Sequence, residues 1–249
     1  MRYEMMFPDE VRKAIDENIP VVLALGVLEY HSEHMSLGVD TLLVIKAIEI
    51  LEKEFPMVVM PPFYYGASSF AVEPPERKGT VHVNSGVLLP FAGQFFYNLL
   101  RIGFRNINIF IHHQCENFSN GGMPTDLAFK LAARQELFAY MEKEKGEGWW
   151  GDNSFAEDLS LGLYNAENNP FNWIRINPFM SSEARSKFPV DHAGKQETSL
   201  MIAFCSEGVD MNRFSDEKWY SKEAKNASLE YGNLAKGIIL DDMRKAILQ

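Results

Sequence analysis

The chain has 249 residues, 46% hydrophobic and 12% aromatic, and its 34 acidic against 24 basic side chains leave a formal charge of −10. That is the composition of a folded globular protein. The acidic balance, with no lysine- or arginine-rich run to offset it, argues against nucleic-acid and membrane-surface partners.

No stretch approaches the ~18 uninterrupted apolar residues of a membrane span. The N-terminal segment lacks the apolar core of a signal peptide. Cys115 and Cys205 are too few for a disulfide framework, so a reducing, cytoplasmic setting is expected.

Along the chain, Pro8-Asp9-Glu10 predicts a short helix to about Asn18, with proline and acids at its first turn. The run Pro20 to Gly26 is continuously apolar, the pattern of a strand buried on both faces. A polar loop follows, and then Asp40 precedes a segment that is apolar at helical spacing. Val58 to Met60 reads as a second strand. Asn84 can cap a helix to about Leu100, and Ile107 to Ile111 read as a third strand. Further helices are predicted from about Pro124 to Lys143, from Glu197 to Phe204, and from Glu223 to the end. The segment from Gly146 to Phe155, with Trp149 and Trp150 among glycines, reads as a loop. Strands alternating with long helices imply βαβ units. The expected fold is α/β, a single domain over residues 1–249 with a mostly parallel sheet flanked by helices on both faces.

Five of the six histidines fall in three short segments. Glu29 and His31 are two apart after the first strand, so on an extended chain both project to the same side. They would lie at the C-terminal edge of a parallel sheet, where α/β folds place ligands, and Asp40 could reach the same point. Two oxygen donors and one nitrogen donor suit zinc, manganese or a similar divalent ion, although an aspartate before a helix also serves as an N-cap. His112 and His113 follow the third strand directly, at the same edge. Cys115 could be a nucleophile or a small buried residue. His192 and Glu197 form a third group; Glu197 would be favourable in a helix's first turn on electrostatic grounds alone, but that does not account for His192.

Taken together and in order, these segments resemble the creatininase (creatinine amidohydrolase) family. Its first motif reads approximately E-x-H-G-x-H-L-x-L-G-x-D, and Glu29, His31, His34, Leu37, Gly38 and Asp40 stand at that spacing. Gly103, Phe104, Arg105, Ile107, Ile109 and His113 match a central G-F-R-x-I-x-I-x-N-G-H. His192, Ala193, Glu197, Thr198 and Ser199 match H-A-x-x-x-E-T-S, and Gly79-Thr80 matches a G-T between the first two motifs.

The resemblance implies two divalent metal ions per subunit, zinc or manganese or also iron, and hydrolysis of a C–N amide bond in a small amide, cyclic amides included, by a metal-bridging hydroxide. It also implies a homohexamer. By position, Glu29, Asp40 and His113 would hold one ion, and His31, Asp40 and a further carboxylate the other. That carboxylate is Glu197 or Glu116. His192 falls at a position associated with proton transfer, and Trp149 and Trp150 are candidates for a substrate-covering lid, or equally for a subunit contact.

The chain departs from the pattern at Ile111-His112, where the family has N-G, at Gln114-Cys115-Glu116, and at Phe188-Pro189, which weakens creatinine itself as substrate. Rival readings are a metal-dependent hydrolase of a lactone or cyclic ketone and a binding protein without catalysis.

Overall fold

A computed structural model describes residues 1–113, 122–153 and 169–249. Four parallel strands form one sheet in the order β2-β1-β3-β4, with β1 at Val21–Leu25, β2 at Val58–Val59, β3 at Ile107–Ile111 and β4 at Ile174–Pro178. Among the described residues seven α-helices accompany them: α1 (Pro8–Asp16), α2 (Val39–Leu51), α3 (Ser85–Ile102), α4 (Pro124–Lys145), α5 (Ser182–Lys187), α6 (Lys195–Phe204) and α7 (Leu229–Leu248).

β1 and β3 are buried along their whole length, because side chains alternate between two covered faces. On one face Val22, Ala24 and Phe110 pack with α2, α6 and α7. On the other, Val21, Leu23, Leu25 and Ile109 pack with α1, α3 and α4. The expected α/β architecture, a parallel sheet with helices on both faces, is the observed one.

Several boundaries differ from the sequence reading. Asn84 caps α3 as predicted, its side chain accepting from the N–H of Gly86. Gly38, not Asp40, is the N-cap of α2, so Asp40 is already inside the first turn and is free to point elsewhere. The C-terminal helix begins at Leu229, after a short 3-10 turn at Lys222–Asn226. β4 and α5 are additional elements that the hydrophobic pattern does not announce.

The chain runs from β1 outward to β2 and then crosses to β3 on the other side of β1. The direction of winding therefore reverses between β1 and β3, and in open parallel sheets the crevice beyond the C-terminal ends of two such strands is the ligand-binding place. Gly26 ends β1 there. A Cβ at this position would fall 2.9 Å from the backbone of Thr41, so glycine is what lets the first turn of α2 rest on the strand end.

Candidate metal centre

Four stretches of chain meet at the crevice, and one of them, the first turn of α2, brings Asp40. The loop after β1 carries Glu29 and His31, and its backbone is fixed at both ends. Glu29 N–H donates to the Leu37 carbonyl at 3.0 Å, and Tyr30 N–H donates to Thr80 Oγ1 at 3.0 Å. The Gly79-Thr80 pair of the sequence thus braces the loop. The end of β3 supplies His112 and His113. The first turn of α6 supplies Glu197, with its two free N–H ends held by Asp191, whose carboxylate accepts from Gln196 N–H (2.7 Å) and Glu197 N–H (3.1 Å).

Glu29, His31, Asp40, His113 and Glu197 are all buried. His113 Nδ1 lies 3.2 Å from Glu29 Oε2 and 3.6 Å from Asp40 Oδ2. His31 Nε2 lies 3.8 Å from the same Asp40 oxygen and 3.6 Å from Glu197 Oε2. His31 donates from Nδ1 to the Glu29 carbonyl at 3.0 Å, which turns Nε2 toward the carboxylates. Two donor groups result, Glu29–Asp40–His113 and His31–Asp40–Glu197, each with its ligand atoms within 4.8 Å of one another.

His192 Nε2 donates to the Tyr30 carbonyl at 2.9 Å. It is half-buried where the other five are buried, which puts it at the mouth of the crevice. With Glu29 and His31 it forms a third group of the same compactness.

The electrostatics follow from three carboxylates confined with imidazoles. Burial disfavours charge on Asp40, yet His31 and His113 hold its carboxyl well below the usual range. The same balance of burial against His31 and His112 draws Glu197 down to about 2. Burial opposes protonation of His113, but its contacts with Asp40 and Glu29 push it up to about 10. His31 is raised by Asp40, Glu197 and Glu29 against the same opposition. Burial and the nearby Glu197 charge push Asp191 up to about 6.

These donors fit a divalent ion. The set is carboxylate oxygen and imidazole nitrogen, which suits zinc, manganese and iron. Among the described residues Asp40 Oδ2 is fully buried without a hydrogen bond, and it is common to both donor groups. A buried carboxylate oxygen without a hydrogen bond is costly unless positive charge faces it, from the imidazoles at 3.6 and 3.8 Å or from an ion seated among them.

The family profile for creatininase, described as creatinine amidohydrolase, matches residues 4–245. The chain belongs to the creatininase family. No curated protein sequence matches it. Among solved structures it is similar to a creatininase variant of Zn–Zn type, at 17% identity and a TM-score of 0.74, with 99% of this chain and 96% of that chain covered. It is also similar to a manganese creatininase, at 18% identity, TM-score 0.70 and coverage of 99% and 96%. A putative creatinine amidohydrolase from Bacteroides fragilis NCTC 9343 aligns at 17% identity, TM-score 0.59 and coverage of 99% and 94%. The creatininase fold therefore extends over the whole chain.

Other predicted site residues fall differently. Glu116 and Cys115 lie outside the described residues. His34, which stands at a creatininase motif position, points away from the cluster and pairs through Nε2 with Thr198 Oγ1 at 2.9 Å.

Trp149 and Trp150 are not brought to the site. Trp149 is buried against Leu137, Met141, Phe171 and Trp173, and the Trp173 carbonyl accepts from Ile107, the first residue of β3. Trp149 thus packs near the N-terminal end of β3, the end opposite the one that carries His112 and His113. Burial against the end of α4 outweighs the glycine-flanked context that suggested a lid. Trp150 is exposed.

One residue was not assigned from sequence. His112 Nε2 lies 3.2 Å from Glu197 Oε1, a contact for which the only sequence signal is the departure from the family's glycine.

Proposed function

We propose that this chain is a metal-dependent amidohydrolase that holds two divalent ions and hydrolyses the C–N bond of a small amide, cyclic amides included. The observation that carries the reading is Asp40 Oδ2, buried, without a hydrogen bond among the described residues and shared by two donor groups. Glu29, Asp40 and His113 would hold one ion, and His31, Asp40 and Glu197 the other. Ions bound there supply Lewis acidity and lower the pKa of a bound water from 15.7 toward about 7.

The chain's own residues provide the rest. The Glu29 carbonyl fixes the tautomer of His31, so that Nε2 is the ligating atom. Burial of the carboxylates keeps bulk water from screening them, which strengthens every charge interaction at the reacting carbonyl.

His192 spends its Nε2–H on the Tyr30 carbonyl, which leaves Nδ1 as the atom that exchanges a proton. At the mouth of the crevice it is the residue placed to protonate the departing nitrogen. Water then contributes its OH to the acyl carbon and a proton to the amine.

The test is elemental analysis of the purified protein, followed by a panel of cyclic amides, formamides, lactones and cyclic diketones with added Mn or Zn. Amide turnover that a chelator abolishes and metal restores is expected. Less than one equivalent of metal, with none gained on reconstitution, would sink the reading. Turnover of lactones or diketones but no amide would move it to another bond type.

A further inference from the structure

His112 and His113 are consecutive at the end of β3, so their side chains project to opposite faces of the strand. His113 turns to Glu29 and Asp40. His112 turns to α6, where Nε2 meets Glu197 Oε1 at 3.2 Å. A carboxylate can only accept, so the ring carries its proton on Nε2.

The ring is itself held in place. It is buried, and it meets the fully buried Phe179 edge-on, with centroids 5.3 Å apart and planes at 81°. Phe179 is anchored in turn, its N–H donating to the Ile111 carbonyl at 2.8 Å.

The other oxygen of Glu197 is fixed from the loop just before its own helix. Ala193 N–H donates to Oε2 at 2.7 Å. With one oxygen held by Ala193 and the other by His112, the carboxylate plane cannot rotate, and Oε2 stays toward His31 and Asp40. Ala193 alone would leave Glu197 a pivot.

We infer that His112 is a positioning residue for the second metal site, aiming the Glu197 carboxylate by a hydrogen bond from β3. The inference rests on the two-ion reading above and deepens it. The orienting donor comes from the strand end and the carboxylate from the helix start, so the contact ties β3 to α6 across 85 residues of chain.

The test compares the intact protein with His112→Phe and His112→Gln, titrated with Zn or Co against a competing chelator, with the visible spectrum of the Co form and the melting temperature of the metal-free form. Phe keeps volume and the contact with Phe179 but has no donor, while Gln carries an N–H at about the reach of Nε2. His112→Phe should bind one ion normally and the other ~10–100-fold more weakly, with an altered Co spectrum for that ion and little change in metal-free melting. His112→Gln should recover most of the affinity.

Unchanged affinity for both ions in His112→Phe would overturn the inference while leaving the two-ion reading intact. Equal weakening in both variants would also overturn it, since packing alone would then be responsible. If His112→Phe does not fold, His112→Gln decides: near-normal binding of both ions supports the role, and loss of one overturns it. An unmodified protein that binds no ion would remove the two-ion reading and this inference together.

Discussion

The ring of His192 stacks on that of His31, with centroids 4.4 Å apart and planes 30° apart. A residue from the loop before α6 thus touches a proposed ligand while lying outside the two donor groups that share Asp40. Replacing His192 by Asn should leave both ions bound and lower kcat by ~10²–10⁴-fold, the usual worth of a positioned proton donor. Metal content together with steady-state kinetics checks this; loss of an ion along with activity would make His192 a ligand instead.

Asp40 Oδ2 faces both His31 and His113. Asp40→Ala should therefore lose both ions after dialysis, whereas Glu29→Ala, which removes a member of only one of the two Asp40-sharing groups, should keep about one. Retention of two equivalents by Asp40→Ala would contradict the bridging role.

The metal-free protein should show a bell-shaped stability profile. His113, raised to about 10, has a folded pKa above its unfolded value of ~6.5. Its stabilisation is complete below about 6.5 and is lost as pH climbs through about 10. Glu197, lowered to about 2, behaves oppositely, stabilising above about 4.3 and losing that contribution as pH falls toward 2. Asp191, raised to about 6, favours the acid side of the window. Metal-free melting temperature should peak between roughly pH 4.5 and 6.5. Because ligating imidazoles must be neutral, metal binding at pH 7 should release protons. Calorimetry in two buffers of different ionisation heat counts them, and no release would contradict a protonated His113.

His34 and Thr198 form a buried brace between the first loop and α6. Thr198→Val keeps the shape but leaves Nε2 of His34 unpaired, beside an Nδ1 that has no hydrogen-bond partner among the described residues. A loss of ~1–3 kcal/mol in denaturant unfolding is expected, with metal stoichiometry unchanged.

Gly26→Ala should act on the site from a distance. The added methyl meets the backbone of Thr41, the neighbour of Asp40, and displaces the first turn of α2. Overpacking of this kind costs ~1–3 kcal/mol, and metal affinity should fall with it. Equilibrium unfolding and metal titration on the same sample test the pair of effects.

Much of this arrangement is legible before any coordinates. β1 and β3 read as unbroken apolar runs because both of their faces are covered. Their C-terminal ends then identify Glu29, His31 and His113 as neighbours. β4 does not read as a strand because it is a half-buried edge, and its sequence IRINP carries Arg175, Asn177 and Pro178. Contact across distant segments is also silent in the sequence. Nothing local to His112 announces a partner 85 residues on, and nothing local to Trp149 says that Leu137 and Met141 will enclose it.

The strand order has a consequence for how the protein comes apart. The proposed ligands begin at Glu29 and end at Glu197, and they belong to the loop after β1, the first turn of α2, the end of β3 and the start of α6. An ion seated among them would be a clasp across elements far apart in the chain, and no single hairpin or helix pair could keep it. Escape of the ion would then require the sheet end and α6 to part. The rate at which a chelator strips the protein would become a clock for that opening.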